Sequence, residues 1–472
     1  MTQGNGLSDA YTATLTRLKT QKGNKSALGL KVLMWVLYSE RPLKTKVLCH
    51  ALGVELGSTD LDHENIPALQ TLLASSLGLV TVEASSSTVR FVHFTLQEHL
   101  LSDATLFHRP HSIIAEVSLT YLNFQCVQDL SPKLKFAPAI MPLLEYASYY
   151  WGEHTRKGMT ENVKMLALRL LDKFDEHISA QLLLLRYNRH KRPFAPDFDF
   201  PKGPIGFTGL HGAAFLGIVE ILEALLEIKE WDVNAEDNAW CTPLIWAVVR
   251  GHEEVVKMLL EQGDVNPDLA GYSNFTPLSW AVRLEHEGVV KVFLERDGVN
   301  SNQASPKYAQ ESLISAAEYG REGIVKMLLE REDVNPNIAD TCSGLTPLWS
   351  AAANGREQIV KMLLDRNDVR IDIQDHNNRF AHSWALLMGH HKIARMISER
   401  AAMESDTADP GSQEPLPSSA RDEEDSMDEI KLGENHPNST TANPCGNQHP
   451  HQQTPIRRKG IGLRRLFFRF RR

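Results

Sequence analysis

Thr242-Pro243-Leu244-Ile245-Trp246-Ala247-Val248-Val249-Arg250-Gly251-His252-Glu253-Glu254-Val255-Val256-Lys257-Met258-Leu259-Leu260 decides the fold. Thr-Pro opens a helix: the Thr hydroxyl takes an orphan backbone N–H, and Pro brings a pre-set φ with no N–H to lose. Gly251 stands where a helix ends in the left-handed region. Val255, Val256, Leu259 and Leu260 then share one face of a second helix. The opening returns as Thr276-Pro277-Leu278 and as Thr346-Pro347-Leu348. The second-helix run returns at Val289 to Leu294, Ile324 to Leu329 and Ile359 to Leu364. A period of roughly 34 residues is the mark of stacked helical pairs. Such stacks bind along an extended surface.

Aligned on the Ala after Thr-Pro-Leu, the units have first helices starting near Gly209, Pro243, Pro277, Ser312, Pro347 and Ala381. Asp232-Val233-Asn234, Asp264-Val265-Asn266 and Asp333-Val334-Asn335, with Gly298-Val299-Asn300 as a variant, mark a turn into a hairpin-like finger. Gly355 and Gly389 repeat the part of Gly251. These residues resemble the ankyrin repeat, over residues 206–400. The departures are Glu311-Ser312 in place of Thr-Pro, Glu285 in place of Gly, and Phe380-Ala381 in the last unit, which has lost its cap. An atypical last unit suits the C-terminal cap of a solenoid.

The resemblance implies a protein partner held by the finger tips and the concave face of the first helices. By position that surface comprises Phe215, Leu216, Trp240, Cys241, Val249, Arg250, Tyr272, Phe275, Arg283, Leu284, Glu318, Tyr319, Leu345, Asn354 and Arg379. Its mix of aromatics and arginine suits binding. Trp240 and Phe275 equally suit a role as plugs between neighbouring fingers. Trp246, Trp280 and Trp384, beside the first-helix Ala, read as core.

Upstream, Leu28 to Leu37, Lys44 to Leu52 and Asn65 to Leu77 read as helices. Leu79 to Val82 and Val89 to Phe94 alternate around Ser85-Ser86-Ser87, which makes a β-hairpin. Three helices and a hairpin form a winged helix. Phe91-Val92-His93-Phe94-Thr95-Leu96-Gln97-Glu98-His99-Leu100, with Met34-Trp35 and Ser39-Glu40-Arg41-Pro42-Leu43, is similar to the winged-helix end of NACHT-type ATPases, and the whole looks like the fungal NACHT–ankyrin (NLR-like) proteins. Leu106 to Leu122 and Pro142 to Gly152 look like the helical segment that follows in that family. The resemblance implies the C-terminal part of a receptor that lacks its NTPase domain, as a truncated product or a separate adaptor. The chain has no Gly-x-x-x-x-Gly-Lys-Ser/Thr; Gly23-Asn24-Lys25-Ser26 comes nearest. The histidine matching His93 touches a nucleotide phosphate in the family, so His93 is implied as a sensor remnant; locally it is placed to cap the next helix. The third helix carries no Lys or Arg, which argues against specific nucleic-acid reading.

The expected architecture is mostly α. A polar helical lead (1–25), a winged-helix domain (26–105) and a helical segment (106–190) precede a linker (191–205). About six repeats (206–400) and a disordered tail (401–472) follow. A net charge of −9 over 472 residues excludes a generally nucleic-acid-binding chain. Five scattered cysteines at no zinc spacing suggest idle thiols in a reducing compartment. With no nucleophile–base pair, metal constellation or phosphate loop, the expectation is no enzyme, no cofactor and no metal. The location expected is cytoplasmic, with the nucleus as alternative. The last residues, 457–472, interleave Arg464, Arg465, Arg469, Arg471 and Arg472 with Leu463, Leu466, Phe467, Phe468 and Phe470, which suits weak contact with anionic membrane. A nuclear-import patch or an idle end competes with that reading. The leading function is a non-enzymatic, protein-binding module. The alternative is a nucleotide-switched signalling component whose NTPase lies in the full-length protein or a partner.

Overall fold

The computed structural model describes residues 3–189, 204–228, 230–271, 275–295, 306–332, 334–340 and 343–407. Tyr272 and most of the expected linker fall outside them, as do residues 408–472 with the basic-aromatic end. Among the described residues no helix is long and apolar enough to cross a membrane.

The chain opens with α1 (Gln3–Lys19), α2 (Lys25–Tyr38), α3 (Thr45–Gly53) and α4 (Leu69–Ser75). The hairpin β1 (Val80–Glu83) and β2 (Thr88–Phe91) pairs Val80 with Phe91 and Val82 with Val89, antiparallel. This is the expected winged helix, with one difference. The third helix is shorter than Asn65 to Leu77, because Pro67 and the extended Ala68 separate a 3-10 turn at His63–Asn65 from α4. Then come α5 (Phe94–Ser102), α6 (Pro110–Leu122), α7 (Gln125–Gln128), α8 (Leu144–Lys157), α9 (Glu161–Leu171) and α10 (Ile178–Arg189). Here α6 packs on α8 and α9, and α8 on α10. Trp35 of α2 meets Tyr146 of α8 edge-on at 5.9 Å, joining the winged helix to this segment.

The repeats follow as helix pairs: α11 (Gly209–Leu216) and α12 (Val219–Ile228), α13 (Pro243–Arg250) and α14 (Glu253–Glu261), α15 (Pro277–Leu284) and α16 (Glu287–Leu294). Three more pairs are α17 (Pro306–Tyr319) and α18 (Glu322–Leu329), α19 (Pro347–Ala353) and α20 (Glu357–Leu364), α21 (Ala381–Leu387) and α22 (His391–Thr407). First helices stack on first helices and second on second, from end to end. Thr242, Thr276 and Thr346 each accept an N–H from the residue three positions on, with Pro directly after them. Phe380 makes no such bond, so the last unit has indeed lost its cap. The fourth first helix begins at Pro306, before the expected Ser312. Glu311 and Ser312 offer no break there, and Pro306 supplies the first-turn residue.

Repeats are tied by polar bonds at fixed positions. His252 and His286 donate from Nε2 to Phe215 O and Val249 O at 3.0 and 3.3 Å. Arg321 and Arg356 reach Arg283 O and Glu318 O at 3.0 and 3.2 Å. Each cation or ring thus satisfies a carbonyl near the end of the preceding repeat's first helix. Arg331, Arg366 and Arg400 do the same for Leu294 O, Leu329 O and Leu364 O at the ends of the second helices. In the fingers, Asn234 donates to Asp264 O and accepts from Asn266 N.

One apolar core runs from the winged helix through the last repeat. At the junction α9 packs against α11 and α12. A Cβ on Gly209 would lie 2.2 Å from Leu171 O, so only glycine allows this approach.

The first-helix face and fingers of the repeats

An aspartate organises the fingers at Asp237, Asp340 and Asp375, whereas Gly271 stands at that position in another. Asp237 is buried and accepts from Ala239 N, Cys241 N and the Trp246 indole N–H, at 2.8, 3.0 and 2.8 Å. Burial pushes its carboxyl up, against these donors, which favour the anion. Asp375 repeats the pattern with Asn377 N, Arg379 N and the Trp384 indole. Trp246 is fully buried and Trp280 nearly so. Trp246 and Trp384 therefore clamp helix to finger, while Trp246 and Trp280 lie in the core and Trp384 is half-buried.

The first repeat uses a different opening. Thr208 N donates to His211 Nδ1 at 3.2 Å, and His211 Nε2 lies 3.1 Å from both Ala235 O and Cys241 O. The ring is therefore neutral, with its proton on Nε2. Burial holds its pKa down at about 4.

The expected partner-facing residues divide into two groups. Phe215, Leu216 and Val249 are only 3, 8 and 8% exposed, and Cys241 is buried. The exposure expected for them does not hold, and over Phe215 and Leu216 the reason is that the helical segment covers this end of the array. Tyr187 of α10 meets the rings of Phe215 and Trp246 at 5.4 and 5.8 Å. Gly152 of α8 sits against the Leu216 side chain so closely that a Cβ there would come within 2.9 Å. Arg250 remains exposed, its guanidinium stacked over Phe215 at 4.8 Å and Tyr187 at 5.7 Å.

The second group stays open. Glu318 and Asn354 are exposed, and Arg283, Leu284 and Tyr319 are half-buried. The Arg283 guanidinium lies 5.1 Å from the Phe275 ring and 5.5 Å from the Tyr319 ring, bridging a finger and two first helices. Trp240 is 63% exposed on a finger with φ of 59°. Phe275 is half-buried against Trp280 at 5.3 Å. Leu345 is half-buried, and Arg379 is exposed over the Trp384 ring.

Among the described residues, Glu40, His111 and His154 make the one grouping of three metal-competent side chains, and it lies away from the repeats. Burial raises the thiol pKa of Cys49, and burial with the Asp60 carboxylate beside it raises that of Cys126 to about 12. His93, implied as a sensor remnant, is the N-cap of α5: its Nδ1 accepts from Thr95 N at 3.3 Å and pairs with the Thr95 hydroxyl at 2.8 Å.

Comparison with known proteins agrees with this geometry. Residues 179–269, 210–305, 265–340 and 313–409 match the profile of ankyrin repeats (3 copies). Residues 15–109 match the winged helix domain of GPI inositol-deacylase, a NACHT-associated domain. A search of the curated proteins returns no match. Among solved structures, one chain of the complex of the Bdellovibrio bacteriovorus predatory endopeptidase Bd0816 with immunity protein Bd3460 is 22% identical; the match covers 40% of this chain and 96% of that one, with a TM-score of 0.34. The ankyrin repeat domain of Bcl-3 is 22% identical over 42% of this chain and 87% of that one, with a TM-score of 0.38. The ankyrin repeat domain of human ASB11 is 22% identical over 43% and 86%, at 0.33. The chain thus joins a NACHT-associated winged helix to an array of ankyrin repeats.

Proposed function

We propose that the protein is a non-enzymatic interaction module that binds a protein partner on the open, C-terminal part of its repeat array. The observation that carries this reading is the Arg283 stack. A guanidinium held between Phe275 and Tyr319, with the Glu318 carboxylate in electrostatic reach of it, offers aromatic and arginine anchors in one region. Ankyrin repeats are in general protein-binding modules, and the order winged helix then repeats supports descent from a fungal NLR-like recognition receptor. On this reading the protein works in the cytoplasm, and Phe215, Leu216 and Val249 hold the array to its neighbour instead of touching the partner.

The test is affinity capture with the intact chain and with a double variant, Arg283→Glu with Tyr319→Ala. Glu161→Gln, on α9 far from the stack, serves as control. The partners retained by the intact chain and by the control should be lost from the double variant. If all three chains retain the same set, the proposed surface is wrong.

A further inference from the structure

His154 is fully buried on α8, yet both of its ring nitrogens face polar groups. Its Nδ1 lies 2.9 Å from Nδ1 of His111, on the first turn of α6. Its Nε2 lies 2.9 Å from the Tyr146 hydroxyl, which also accepts the Glu40 backbone N–H at 3.2 Å. The Glu40 carboxylate enters from the turn between α2 and α3 and is paired with Lys157 at 2.6 Å. One donor atom each from Glu40, His111 and His154 falls within 4.8 Å of the others.

Two ring nitrogens of the same kind pointing at each other have room for one proton or one metal ion between them. A tetrahedral zinc with bonds of about 2.0–2.1 Å places neighbouring nitrogens about 3.3 Å apart. The pair here needs a small opening, and a half-buried His111 can supply it. A neutral imidazole keeps one lone pair, on the ring nitrogen that carries no proton, and that lone pair is what a metal takes. The Tyr146 hydroxyl on the second nitrogen of His154 fixes that ring, as partners of metal-bound histidines do. His111 and Lys157 line a cleft of about 530 Å³ with Arg109, Ser112, Gly158 and Thr160, which leaves room for a water as fourth ligand.

We infer that Glu40, His111 and His154 form a zinc site that clips the winged helix to the α6–α8 pair. The three donors are two imidazoles and one carboxylate, a set suited to Zn2+. Lys157 is the competitor: its ammonium holds the carboxylate that the metal would take. Binding therefore requires Lys157, half-exposed and flexible, to swing aside.

The experiment uses the full chain, treated with chelator and titrated with Zn2+ against a chromophoric competitor; Co2+ reports geometry by its visible absorption. His111→Gln should weaken one tight equivalent by at least 100-fold and remove the matching Co2+ bands. Glu40→Gln should weaken it at least tenfold. Lys157→Met, a surface change, should tighten it several-fold by releasing Glu40. Zinc held elsewhere on the chain is unaffected by these substitutions, so the difference between variants is the readout. Equal zinc affinity in the intact chain and the Lys157→Met and Glu40→Gln variants would overturn the site, leaving a metal-free histidine bridge.

Discussion

The two ends of the repeat array are built on the same plan and are met by different neighbours. At the N-terminal end Phe215 and Leu216 lie under Tyr187 and Gly152 of the helical segment. Toward the C-terminal end the corresponding row (Arg283 and Leu284, then Glu318 and Tyr319, then Asn354) carries no such cover among the described residues. In the last repeat Leu387 is 66% exposed. The repeat position alone thus does not say whether a side chain binds a partner. What lies outside the repeat decides it, and here the helical segment acts as the cap of the first repeat.

The tryptophans give the largest test of that contrast. Trp246 and Trp384 make the same indole bond to a finger aspartate, but Trp246 is fully buried in the ring cluster with Phe207, Phe215 and Tyr187 while Trp384 is half-buried. Trp246→Ala should cost about 4 kcal/mol, since it opens a cavity and leaves buried Asp237 short of a donor. Trp384→Ala should cost about 2 kcal/mol. Denaturant melts measure both. Equal losses would show that the covered end is no better packed than the open one.

A second test strikes the seam itself. Gly209→Ala drives a methyl into Leu171 O and must push α11 away from α9. About 2–3 kcal/mol of stability should go, together with the single cooperative transition. Gly263→Ala, in a turn with open space around its Cβ, should change stability by less than about 0.5 kcal/mol. A single unchanged transition in Gly209→Ala would mean the two halves fold independently of this contact.

Acid should loosen both sides of that seam. His211 and His177 are buried, each with a pKa that burial lowers to about 4. His177 donates to Leu122 O at 3.0 Å and accepts from Ser179 N at 3.1 Å, so it too is held neutral. The fold prefers the neutral ring, whereas the unfolded chain takes up a proton near pH 6.5. The contribution is complete above that value and is lost as pH falls toward 4. At pH 5 each ring should have cost about 2 kcal/mol of stability. Denaturation midpoints at pH 7 and pH 5 measure this; His211→Gln, which cannot charge, should lose less between them than the native chain. Midpoints that do not move would show the rings already protonated in the fold.

Much of this is legible in the sequence, for local reasons. Thr-Pro pairs at 242, 276 and 346 cap their helices, and the glycine-register positions Gly251, Gly355 and Gly389 have φ of 71, 69 and 78°. Those signals live within a few residues of chain. The start of α17 at Pro306 was hidden because Glu311-Ser312 sits in register with the other caps while the helix passes through it. The burial of Phe215 and Leu216 was hidden for a different reason: Tyr187 and Gly152 belong to another segment and carry no period that relates them to the repeats. Glu40, His111 and His154 meet for the same kind of reason, being brought together from three elements with no sequence spacing to announce them.

The smallest effect lies in the middle of the array, where covered and open ends meet. Glu285 occupies the register of Gly251 and Gly355 and is left-handed with φ of 62°. A side chain there costs about 1 kcal/mol relative to glycine. Its carboxylate pairs with Arg321, the same arginine that bonds Arg283 O beside the aromatic stack. The carboxylate is more than half exposed, so the pair returns only a few tenths of a kcal/mol. Glu285→Gly should therefore stabilise by about 0.5 kcal/mol, and Glu285→Ala, which keeps the strain and loses the pair, should fall slightly below the native chain. The reverse order would mean that the Arg321 pair outweighs the backbone strain. Glu285 would then be retained to hold the open face in shape, extending the contrast between the two ends to the hinge between them.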